Sequence, residues 1–156
     1  MSKHRLISAV AILGLTAAAY AQQQSSATID GHTVTVKYSA PSAKNRAAAA
    51  FHTDADLAFK GVSVPKGDYT IYILADGSQW QLALNKATGA KAATYDAKLD
   101  LGRVAMTMSP AAAPGDACKI TLTRTAALAA KLEVAWNNAA ASASFHLDRG
   151  ASDSEW

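Results

Sequence analysis

Cysteine is nearly missing from this chain, and that absence sets the first limits. Cys118 is the single cysteine in 156 residues, so no intramolecular disulfide can form and two-cysteine redox or zinc chemistry is excluded. Charge is sparse as well, at 17% of residues, and the basic side chains are scattered singly. A nucleic-acid surface needs Lys and Arg clustered on one face, so no nucleic-acid partner is expected. Aromatic residues make up 7% and histidine occurs four times. Neither a phosphate-binding loop, a His-Glu-x-x-His pair nor a Gly-x-Ser-x-Gly elbow is present. No cofactor is called for, and no catalytic residue is assigned.

The chain does carry an address. Lys3, His4 and Arg5 precede an uncharged apolar stretch from Leu6 to Ala19, and Ala19-Tyr20-Ala21 closes it. This charged, apolar, small-residue order is that of a secretory signal peptide, with cleavage expected before Gln22. Spanning a bilayer takes about 20 apolar residues, more than the stretch offers, so no transmembrane anchor is expected in the mature chain. No cysteine follows the stretch to take a lipid. The expected location is periplasmic or extracellular. Removing 21 of the 156 residues leaves 135, enough for one domain with its own core. Lys3 and Arg5 leave with the signal, so thirteen basic residues face twelve acidic ones at a net +1. The division is then 1–21 signal peptide, 22–26 polar tether, 27–148 folded domain and 149–156 frayed tail.

Within 27–148 the apolar period is two, and turn signals recur every eight to twelve residues or so, the spacing of an all-β sandwich or barrel. The pattern predicts an antiparallel β-sandwich of roughly seven to nine strands. Asp30-Gly31 separates Ala27–Ile29 from Thr33–Tyr38, and Asp-Gly suits a hairpin that needs positive φ. Asp76-Gly77 separates Tyr69–Leu74 from Trp80–Leu84, the clearest hairpin in the chain. Further strands are predicted over Arg103–Met108, Lys119–Thr125, Lys131–Trp136 and Ala143–Leu147, with a turn at Asn137-Asn138. Ser109–Asp116 contains Pro110 and Pro114 and reads as loop, as does Ala90–Asp100. Ala43–Ala50 is helix-friendly in composition, which predicts at most a short helical turn there.

Alternation assigns Trp80, Leu82 and Leu84 to the core, with either Ile71 and Ile73 or Tyr72 and Leu74 from the partner strand. Ile120, Leu122, Leu132, Val134 and Trp136 complete it, and Cys118 shares a face with Ile120 and Leu122 as a small buried hydrophobe.

Two candidate sites emerge. His52, Asp54 and Asp56 would share one face of an extended strand, an imidazole and two carboxylates of the kind that bind Zn²⁺ or Mn²⁺. Spacing of about 6–7 Å along a regular strand is too wide for a single ion, so this set supports only an alternative reading as a small metal-dependent or hydrolytic enzyme. Tyr38, Arg46, Tyr69, Tyr72 and Arg103 could instead form a carbohydrate or anion surface, since aromatics stack on sugars and arginine holds anions bidentately. His32, in the first hairpin turn, and His146 read as solvent-exposed.

Several ordered blocks carry a resemblance. They are Tyr38-Ser39-Ala40-Pro41-Ser42 with Arg46, Phe51-His52-Thr53-Asp54-Ala55-Asp56-Leu57, and Val64-Pro65-Lys66-Gly67-Asp68-Tyr69. Trp80 to Lys86 with Thr88-Gly89, Tyr95-Asp96, Asp100-Leu101-Gly102-Arg103-Val104 and Leu132-Glu133-Val134-Ala135-Trp136 continue the series. In these blocks the chain resembles the secreted bacterial family named domain of unknown function 2911. The resemblance implies an exported β-rich domain and no particular activity. It also marks two departures: an insert usual in the family between Arg46 and Phe51 is replaced by alanines, and His52 stands where the family tends to have threonine. The functional expectation is a non-catalytic envelope or periplasmic domain that binds a small molecule, a glycan or a protein.

Overall fold

The structure, a computed structural model, describes residues 22–39, 41, 45–110, 118–136 and 138–148. The signal-like segment, the tail from 149 and most of the proline-containing loop lie outside the described residues.

Two antiparallel sheets pack face to face. The first is six-stranded, in the order β1 (Gln23–Ile29), β2 (His32–Tyr38), β3 (Arg46–Thr53), β6 (Gly67–Leu74), β7 (Gln81–Asn85), β8 (Asp100–Ala105). In the second, β10 (Lys119–Ala126), β11 (Ala129–Trp136) and β12 (Ala139–Leu147) lie side by side. One end of β12 pairs with β4 (Leu57–Phe59), which pairs with β5 (Val62–Val64), while its other end pairs with β9 (Thr107–Pro110). The all-β sandwich is thus as predicted, with twelve strands among the described residues. The surplus over seven to nine comes from three short pairings, β4, β5 and β9, and from β3.

The strongest local signals form the expected hairpins. Ile29 pairs with His32 around Asp30 (φ 50°) and Gly31 (φ 81°), a two-residue turn with both central residues left-handed. Leu74 pairs with Gln81 across the Asp76-Gly77 connection, and Trp136 pairs with Ala139 with Asn138 at φ 60°.

The inner faces form one core. Ile71 and Ile73 point inward, fully buried, opposite Leu84 and Leu82. Two aromatic clusters anchor it. Phe51, Phe59 and Phe145 gather with ring centroids 4.8–6.5 Å apart, and Trp80 meets Trp136 edge-on at 6.0 Å. Cys118 is buried, and desolvation pushes its thiol up to about 11. At one flank β1 approaches β10, where Leu122 N–H donates to Ser25 Oγ at 2.9 Å. At the other, β8 presses so close to β5 that a Cβ on Gly102 would sit 2.6 Å from Val62 Cγ2.

Four expectations need correction. Residues 46–50 are not a helical turn but the first half of β3, paired throughout with β6 and, at Ala49 and Ala50, with β2 as well. Tertiary pairing overrides alanine's helix preference there. Ser109 and Pro110 are strand rather than loop; Pro110 lies at the end of β9, where a missing N–H costs little. His146 is 9% exposed rather than solvated, because β12 runs between β11 and β4 with small neighbours Ala129 and Ala58. Residues 90–100, read as loop, hold two 3₁₀ segments, Gly89–Ala93 and Ala97–Leu99, that fold back over the outer face of the first sheet.

Candidate functional site

The outer face of the first sheet holds a trough whose floor is set by β3. On that strand Ala47, Ala49, Phe51 and Thr53 point inward, leaving Arg46, Ala48, Ala50 and His52 outward and exposed. Ala48 lies beside Tyr72 and Ala50 beside both Lys37 and Thr70. Two methyl groups in mid-sheet, flanked by longer side chains, leave a depression. It comprises a cavity of about 420 Å³ toward Arg46 and another of about 620 Å³ toward His52, joined through Lys37, Ala50, Thr70 and Gly89.

One wall is the first 3₁₀ segment with Tyr95, and buried polar groups pin it down. Asn85, fully buried, donates from Nδ2 to the Asp96 carbonyl (2.9 Å) and to Asp100 Oδ1 (2.8 Å), while its Oδ1 accepts Ala87 N–H at 2.9 Å. Tyr72 donates its hydroxyl to the Ala92 carbonyl at 2.6 Å and Thr70 to that of Ala87 at 2.7 Å. Asp100, whose side chain is 8% exposed, also accepts from the Tyr95 hydroxyl and from Arg103 Nε at 3.3 Å. Buried polar groups are stable only when bonded, and this network satisfies its members while fixing the wall.

Tyr95 is the centre of the polar end. Its ring lies 4.7 Å from that of Tyr72, and the guanidinium groups of Arg46 and Arg103 approach its centroid at 5.4 and 5.8 Å. Arg103 also donates to the Tyr95 hydroxyl at 2.9 Å. Desolvation raises the Tyr72 phenol above its ordinary value, against a lowering by Arg46. Desolvation and then the hydrogen bond to Asp100 raise that of Tyr95.

Of the sequence-derived binding residues, Arg46, Tyr72 and Arg103 meet at this end. Tyr38 borders the cavity, but its ring is 4% exposed and belongs to the core cluster. Tyr69 is half-buried against the core, its hydroxyl donated to the Pro65 carbonyl at 2.6 Å. Tyr38 and Tyr72, at 4% and 2% exposure, offer no face for stacking, and Tyr95 carries Tyr72 and two guanidiniums.

The residues His52, Asp54 and Asp56 do not share a face, which corrects the alternative metal set. The strand ends at Thr53, whose hydroxyl bonds Ala55 N–H and carbonyl and turns the chain. His52 Nδ1 meets Asp68 Oδ1 at 2.7 Å in the trough. Asp54 Oδ1 accepts Thr33 N–H at 3.0 Å and faces His32 Nδ1 at 3.2 Å. Asp56 Oδ1 accepts Lys66 N–H at 2.9 Å. Among the described residues no group of three or more His, Cys, Asp or Glu is placed to hold one metal ion.

Sequence reasoning missed Tyr95, Asn85, Asp100 and Lys37. Lys37 was legible as the outward residue of an alternating strand, and Tyr95 and Asp100 stood in the resemblance blocks. Nothing local said that they would meet Arg46. No curated protein and no solved structure matches the chain. Residues 46–145, which hold most of the trough, match the model described as Protein of unknown function (DUF2911), and the chain belongs to that family.

Proposed function

We propose that the protein is an exported, non-catalytic binding domain and that the outer-face trough is its ligand site. The observation that carries this reading is the pair of outward alanines, Ala48 and Ala50, in a central strand beside a wall fixed by buried hydrogen bonds. A pre-formed concavity of several hundred cubic ångströms with a few placed polar groups is the usual form of a small-molecule site. Export rests on the leader-like order of residues 1–21, and no helix among the described residues is long and apolar enough to cross a membrane.

The hydrolytic alternative retains His52, now with Asp68 instead of Asp54 and Asp56. An imidazole oriented by a carboxylate can act as a base. Yet the threonine hydroxyls that line the trough beside it, those of Thr35, Thr70 and Thr88, make no hydrogen bond to His52, and Thr70 is committed to Ala87. Binding without turnover is the better-supported reading.

A fragment cocktail titrated into the ¹⁵N-labelled purified protein tests it. Amide shifts should cluster at Ala48, Ala50, Thr70, Gly89 and Tyr95. Clustering elsewhere, or none, would remove the trough as the site. Turnover of p-nitrophenyl acetate that disappears in His52→Ala would restore the enzyme reading. Mature protein from the periplasmic fraction should begin at Gln22; an intact Met1 would contradict export by cleavage.

A further inference from the structure

We infer that the trough takes an acidic saccharide, a short chain of pyranose units bearing a carboxylate, with the acid held by Arg46. The inference rests on the reading of the trough as the ligand site.

The two arginines around Tyr95 differ in what they have left to give. Arg103 has a carboxylate partner in Asp100 and a second bond to the Tyr95 hydroxyl. Arg46 touches the same ring, but among the described residues no carboxylate lies within ion-pair reach of it or of Lys37. A cation–π contact orients a guanidinium while leaving its N–H donors free. The cavity at this end is lined by Arg46 and Lys37 and, among the described residues, by no acidic one. A planar oxyanion is the charge complement, and arginine's fork matches a carboxylate in two parallel hydrogen bonds.

The other end has a different character. There the lining includes Thr35, Thr88 and the His52–Asp68 pair, which together offer donors and acceptors but include a carboxylate. A second anionic group is disfavoured beside Asp68, whereas hydroxyls can bond all four side chains. Between the ends the floor carries the methyl groups of Ala48 and Ala50, apolar surface suited to the C–H face of a ring. Arg46 and His52 are six residues apart on β3, about 20 Å at strand spacing, which is longer than one pyranose. The occupant thus needs one acid, several hydroxyls and more than one ring. A polyphosphate has too much charge for the Asp68 end, and an aliphatic acid has nothing for the hydroxyl-binding groups.

The probe is cellobiouronic acid (glucuronosyl-glucose), titrated against cellobiose, which has a hydroxymethyl group in place of the carboxylate. Inorganic phosphate and triglutamate are separate arms. The acidic disaccharide should shift the trough amides and bind at least about tenfold more tightly than cellobiose, the lower end of what a charge-assisted pair contributes. Arg46→Gln should erase that preference without moving the melting temperature, and Arg46→Lys should restore part of it. Equal binding of cellobiose would overturn the inference, as would phosphate or triglutamate binding as tightly as the acidic sugar. If the sugars fail while fragments still map to the trough, the acidic-saccharide assignment falls and the site stands. If fragments fail there too, both fall.

Discussion

The two faces of β3 use the same amino acid to opposite ends. Ala47 and Ala49 point inward at 3% exposure and belong to the core that the Trp80–Trp136 contact and the phenylalanine cluster anchor. Ala48 and Ala50 point outward at exposed positions where nothing in the core constrains size. A central strand of a six-stranded sheet could carry large polar side chains on its solvent face, as β-branched and aromatic residues suit that surface better than alanine does. The inner alanines answer to packing. The outer pair answers to no packing demand of the core, and it is their smallness that opens the trough.

That comparison can be broken most visibly at the neighbouring pair Phe51 and His52. Phe51→Ala should destabilise the protein by about 3–5 kcal/mol, the range for aromatic truncation in a core, whereas His52→Ala should stay within about 0.5 kcal/mol. Denaturant unfolding of both variants is the check; similar losses would erase the distinction between the faces. Next in size is Gly102→Ala, where the added methyl meets Val62 at 2.6 Å in the β5–β8 approach. Overpacking of this kind should cost about 1–3 kcal/mol. An unchanged unfolding midpoint would mean that the two sheets part there without effort.

A similar loss of about 1–3 kcal/mol is expected for Asn85→Ala, which leaves buried partners of the wall unsatisfied. Amides of residues 89–96 should then exchange faster while those of β10 and β11 do not. Uniform loss of protection would show that the wall is not separately pinned. The smallest effect concerns alkaline pH. Burial raises the phenols of Tyr72 and Tyr95 above 10.0, so folding favours their neutral forms. Their contribution is complete below the ordinary phenol value and is lost as pH rises through the higher folded-state values. Tyr72→Phe should flatten the fall in stability above pH 10.0, and an unaltered alkaline limb would contradict the burial of this phenol.

How far the sequence carried the structure depends on contrast between alternate residues. Where large apolar and polar side chains alternate, as in Thr33–Tyr38 or Lys119–Thr125, strand and face were both legible. In Arg46–Ala50 both faces carry alanine, so the period of two vanishes and composition alone suggested helix. The short β4–β5 hairpin escaped because three-residue runs, Leu57–Phe59 and Val62–Val64, are too brief to show a period. Residue type was enough to single out Arg46, Tyr72 and Arg103. It placed the Tyr38 ring on the surface when alternation with Val34 and Val36 carries it into the core. Lining up His52 with Asp54 and Asp56 assumed a strand that continues past Thr53, and a single hydroxyl turn ends it. The convergence of Tyr95 and Asp100 on Arg46 depends on a segment folding back over the sheet, which no local pattern announces.

The central claim is that Ala48 and Ala50 are small for the sake of an occupant. Ala50→Trp tests it most directly, because position 50 lines both cavities and tryptophan is at home on a strand. The melting temperature of this variant should match that of the parent while fragment-induced shifts at Thr70, Gly89 and Tyr95 disappear. A fall of several degrees would show that the fold itself requires alanine there, and retained shifts would show that ligands bind elsewhere; either result would contradict the trough as a site kept open for a ligand.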